Sequence, residues 1–69
     1  MAIGSKYWAH SYIISSGKKI YLEEYIWDVK KKLNAKEQFV SFKVSRMAFS
    51  NGAKEISLKT SSISEYGEV

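Results

Sequence analysis

Cysteine and proline are absent from this chain of 69 residues, and histidine and arginine occur once each, as His10 and Arg46. Without cysteine there is no disulfide framework and no thiolate metal site. With one histidine the usual zinc ligand sets cannot be assembled either, so no metal and no cofactor is expected. No apolar run, tyrosine and tryptophan included, exceeds three residues. That is too short for a transmembrane helix or a signal-peptide core, so no membrane partner is expected and the expected compartment is the cytoplasm. Gly-x-Gly-x-x-Gly, Walker and Gly-x-Ser-x-Gly motifs are all missing. The eleven serines have no evident base to activate them. An enzyme is not expected.

What is present is a small, aromatic, basic chain. A single domain of this length buries only about 60% of its unfolded surface, so its stability margin is thin. Ten aromatic residues, each able to bury about 150–250 Å², are the material for a core. Self-association, with a homodimer as its simplest form, is the other way to supply the missing burial. The net charge is +4, carried by ten lysines and one arginine. Sequence-specific DNA readers favour arginine, whose fork matches guanine. A 10:1 lysine bias is instead the codon pattern of an AT-rich genome, as in a low-GC bacterium or its phage, and fits an accessory protein of phage or mobile elements.

The pattern predicts an α+β domain spanning residues 1–69: a small antiparallel sheet in the order β-β-α-β-β, with one helix packed on one face and room for a fifth short strand. A small β-barrel is the alternative. Residues 6–14 are aromatic and β-branched, which favours a strand. Ser15 to Lys18 form a turn with Gly17 at positive φ, and 19–22 return as the second strand. From Leu22 the period becomes helical: Leu22, Tyr25/Ile26, Val29 and Leu33 make one apolar stripe, predicting a helix near 23–34. On that reading Glu23 and Glu24 lie in its first turn, Asp28 pairs with Lys32, and Asn34 ends it. Extension of the second strand through Trp27 is the rival.

Phe39 to Val44 alternate as a strand with Val40, Phe42 and Val44 on one face. Asn51-Gly52 predicts a type I′ hairpin that sets Met47 opposite Ile56, with a bulge near Ser45-Arg46. Residues 56–60 form the next strand. Ile63 is expected to anchor the tail, within a short edge strand.

Two binding readings compete. Trp27 falls off the helix stripe, so it is either half exposed or set against a partner. With Glu23, Lys30 and Lys31 around it, it marks the candidate protein-binding surface, since tryptophan is enriched at hot spots. The second reading is nonspecific nucleic-acid binding by a lysine-aromatic face built from Lys6, Trp8, Tyr12, Lys18 and Lys19. The commoner roles of the same residues are core aromatics and a solvated helix end. Residues 54–60 also offer an exposed strand edge to a second chain, with Lys54 and Lys59 as gatekeepers.

Overall fold

The computed structural model describes residues 2–45 and 54–69. The described chain runs β1 (Ala2–Ile3), a 3-10 turn (Lys6–Trp8), β2 (Ser11–Ser15), β3 (Lys18–Leu22), α1 (Ile26–Asn34), β4 (Phe39–Val44), β5 (Lys54–Lys59), a second 3-10 turn (Thr60–Ser62) and β6 (Ile63–Glu68). Five strands form an antiparallel sheet in the order β5-β4-β3-β2-β6. The short β1 adds a parallel pairing against β3. This is the small α+β fold expected from the sequence, and the sheet is not closed into a barrel.

Alternation decides which side chains face the core. Ile13, Ile20, Leu22, Val40, Phe42 and Val44 point one way and are buried together with Val29 of α1. Leu33, Ile56, Leu58 and Ile63 pack against them. Ser11, Ser15 and Ser45 are buried among these residues, and each hydroxyl has a partner: the Glu24 carbonyl, Ser62 Oγ and the Ser5 carbonyl respectively. Ile63 anchors β6 as expected, and β6 is a full edge strand on β2.

The β2–β3 hairpin closes with two residues, Ser16 (φ 51°) and Gly17 (φ 80°), the two positive φ angles a type I′ turn requires. Residues 6–10 are not strand, contrary to the sequence expectation. β3 stops at Leu22, which pairs with Ser11, so it does not reach far enough to continue the β2 ladder through residues 6–9. His10 makes the last bond, its N–H donating to the Leu22 carbonyl at 2.9 Å. Upstream, Gly4 sits at φ 88°, and a Cβ there would lie 2.9 Å from the Tyr21 carbonyl oxygen. Ser5 then starts the first 3-10 turn, its Oγ accepting the Tyr7 N–H.

Residues 22–27 are neither all helix nor all strand. Leu22 ends β3, Glu23 and Glu24 connect, Tyr25 is the extended N-cap and α1 begins at Ile26. Glu23 and Glu24 are therefore not in the first helical turn; Asp28 alone supplies its acid. Lys32 does not pair with Asp28 either. Its Nζ lies 2.8 Å from the Glu24 carboxylate and donates to the Ser41 carbonyl at 2.7 Å, while Glu24 also accepts the Lys43 N–H at 2.7 Å. That site offers the ammonium more partners than one exposed Asp can. The left-handed residue after the helix is Lys36 (φ 58°), not Asn34.

On β4–β5 the register differs from that implied by an Asn51-Gly52 turn. Ile56 lies opposite Phe42, and Lys54 opposite Val44. This register sets core residues across from each other on the two strands, which burial favours over turn preference. The Asn51-Gly52 turn, Met47 and Arg46 lie outside the described residues. Among the described residues no helix is long and apolar enough to cross a membrane.

Candidate binding surface

An aromatic stack stands on the surface where β2, the β3–α1 connection and α1 meet. His10 stacks on Tyr25 with ring centroids 4.3 Å apart, and Tyr25 stacks on Trp27 at 5.0 Å with an interplanar angle of 3°. Each ring is positioned by backbone. His10 is fixed by its bond to Leu22, and Ser11 Oγ ties the start of β2 to the Glu24 carbonyl. Tyr25 is held as N-cap, its carbonyl accepting the Asp28 and Val29 N–H groups at 3.0 and 3.1 Å. Trp27 lies two residues from the buried Val29, about 200° around the helix, and so points away from the core.

The stack is exposed: Trp27 by 63% and Tyr25 by 47%. Lys30 and Lys31 follow Trp27 at i+3 and i+4, on the same helical face, and both are exposed. Glu23 is half-buried in the connection one residue before Glu24. Of the four residues assigned to a protein-binding surface, the fold thus gathers Trp27, Lys30 and Lys31 on one helix face and places Glu23 at the head of the connection.

The five residues of the nucleic-acid reading are distributed differently. Lys6 and Trp8 belong to the first 3-10 turn, where Tyr7 is 96% and Trp8 58% exposed. Lys6, Tyr7 and Val69 border a shallow groove of about 500 Å³. Tyr12 and Lys19 share the sheet face opposite the core, with Lys19 Nζ 4.6 Å above the Tyr12 ring and 5.5 Å from that of Tyr21. Lys18 stands beside the hairpin turn, paired with Ser15.

Tyr12 is already engaged within the chain. Its hydroxyl donates to Glu65 at 2.9 Å, and its ring lies so close to Gly67 that a Cβ there would sit 2.9 Å from it. The Glu65 carboxylate, first by accepting this bond, pushes the Tyr12 phenol above its ordinary 10.0. Among the described residues no three His, Asp or Glu side chains converge on a metal position.

Sequence reasoning missed the stack itself. His10 and Tyr25 are fifteen residues apart, and only the Ser11–Leu22 register brings them together. The chain matches no protein-family model, no curated protein and no solved structure.

Proposed function

We propose that this chain is a non-enzymatic binding module whose partner is a protein docked on the Trp27 face, with a cytoplasmic setting as part of the reading. The observation that carries it is the exposed His10–Tyr25–Trp27 stack. A small domain with little core to spare leaves three rings outside it, one against the next, on backbone locked by β3 and α1. Rigid aromatic rings give large contact area at low entropic cost, which is what a hot spot needs. Lys30 and Lys31 on the same helix face supply a charged rim and favour a partner with acidic groups beside an apolar pocket.

The experiment is a comparison of wild type and Trp27→Ala as baits in an extract of cells that make the protein. A protein retained by wild type and lost from a folded Trp27→Ala bait supports the reading. Identical retention on both baits counts against it.

A second reading, nonspecific nucleic-acid binding, is favoured by Tyr7 and Trp8 standing exposed next to Lys6. Aromatic platforms beside lysines hold single strands by stacking and charge. Its test is fluorescence anisotropy of labelled single- and double-stranded DNA at about 50 and 200 mM salt, where phosphate-driven binding weakens steeply. Flat titrations at both salts would remove it.

A further inference from the structure

We propose that the outer edge of β5 is a self-association edge, on which a second copy of this chain pairs its own β5 antiparallel about a two-fold axis through Ser57. Among the described residues, β5 ends the sheet and pairs with β4 alone. Which of its backbone groups face outward follows from the ladder. The Thr60 N–H donates to the Gln38 carbonyl at 2.9 Å, so Gln38 and Thr60 are a hydrogen-bonded pair. Antiparallel pairs alternate between bonded and non-bonded. Val40 with Leu58 and Phe42 with Ile56 are then bonded, and Glu55, Ser57 and Lys59 direct their N–H and C=O groups away from β4.

The opposite side of β4 confirms this phase. Across from Ser57 and Glu55 stand Ser41 and Lys43, whose groups turn away from β5: the Ser41 carbonyl takes Lys32 Nζ, and Lys43 bonds Glu24 and the Glu23 N–H.

Only a strand of matching phase can complete this edge, and a second β5 has it. With Ser57 opposite Ser57 of the second copy, all three outward residues find outward partners. Glu55 then faces Lys59 of the other chain, and the two-fold axis repeats that pair. Ile56 meets Leu58 on the core side, where both are only half-buried. A shift by two residues either way takes Glu55 off Lys59. Lys59, a gatekeeper in the single chain, becomes half of a cross-strand ion pair. β6, at the other end of the described five-strand order, carries Glu65 and Glu68, so pairing β6 with itself concentrates like charge. A two-fold β5 contact is also closed, as most dimers are. None of this depends on the role of Trp27.

The test is sedimentation equilibrium of the full chain from about 10 µM to about 1 mM, the range in which a weak edge contact is read. Wild type dimerises in that range. Glu55→Lys and Lys59→Glu each set like charges across the axis twice and raise the dissociation constant about tenfold or more. The double variant restores opposite charges and returns it to within about threefold of wild type. Independently of any variant, the amide protons of Glu55, Ser57 and Lys59 gain protection from exchange as concentration rises. A wild type monomeric throughout overturns the proposal. So does a dimer whose constant is the same in all variants, or one whose single losses the double variant does not rescue.

Discussion

Glu24 and Lys32 together stand where a strand is missing beside β4. Among the described residues β3 pairs with β4 only at Leu22 and Val44, and from Lys43 back toward Phe39 the backbone of β4 has no strand on that side. The Glu24 carboxylate accepts the Lys43 N–H, the Lys32 ammonium donates to the Ser41 carbonyl, and the two side chains meet at 2.8 Å. One residue precedes α1 and the other closes it, so the pair also fastens the helix to the sheet. The Lys32 Nζ lies 5.2 Å from the Phe42 ring centroid, which adds a cation–π contact above the core.

Glu24→Ala is therefore expected to cost about 1–2 kcal/mol, because it leaves the Lys43 amide without its acceptor and the Lys32 ammonium with the Ser41 carbonyl alone. Lys32 is more exposed than Glu24, and Lys32→Ala should cost less, within about 1 kcal/mol. Urea unfolding of both variants measures this. Equal, negligible losses would mean that water replaces the carboxylate without penalty.

Gly4 and Gly17 both have positive φ, but their surroundings differ. A Cβ on Gly4 meets the Tyr21 and Ser45 carbonyl oxygens and Val44 Cγ1, whereas one on Gly17 meets nothing within 4 Å. Gly17→Ala should cost about 1 kcal/mol for the backbone conformation alone, and Gly4→Ala about 2–3 kcal/mol. Thermal unfolding should rank the two in that order. The reverse order would show that the β1 segment is not docked on β3.

Tyr12 links stability to alkaline pH. Its phenol is raised above 10.0 by the Glu65 bond, so that bond stabilises the fold fully below about pH 10 and is lost as pH climbs through the folded value. Ultraviolet titration should show a late phenol step on the alkaline side of the ordinary 10.0. Tyr12→Phe should remove that late step and flatten the alkaline loss of stability. A late step that survives in Tyr12→Phe would assign it elsewhere.

Local pattern carried most of the architecture. The alternation of Val40, Phe42 and Val44 marks β4 from end to end, and Gly17 marks the hairpin. The Val29–Leu33 stripe placed Trp27 outside the core, as its exposure bears out. Residues 6–10 misled because aromatic strand propensity reflects a pleated, half-buried surface, and β3 does not extend that far to create one. Glu24 and Lys32 are eight residues apart, and His10 and Tyr25 fifteen, both beyond the i+3 and i+4 neighbours that helical spacing brings into contact. Such contacts depend on register and on where the helix begins, which sequence pattern alone leaves open.

If the His10–Tyr25–Trp27 stack serves a partner and not the core, Trp27 is dispensable for folding. The decisive measurement is the unfolding free energy of Trp27→Ala beside that of Val29→Ala, two residues away on the same helix. The expected result is a loss below about 1 kcal/mol for Trp27→Ala, roughly the worth of one surface ring stack. Val29→Ala should cost about 1–3 kcal/mol, because it opens a cavity in the core. A loss of about 3–5 kcal/mol for Trp27→Ala, as for a buried tryptophan, would contradict the account and return the ring to the core.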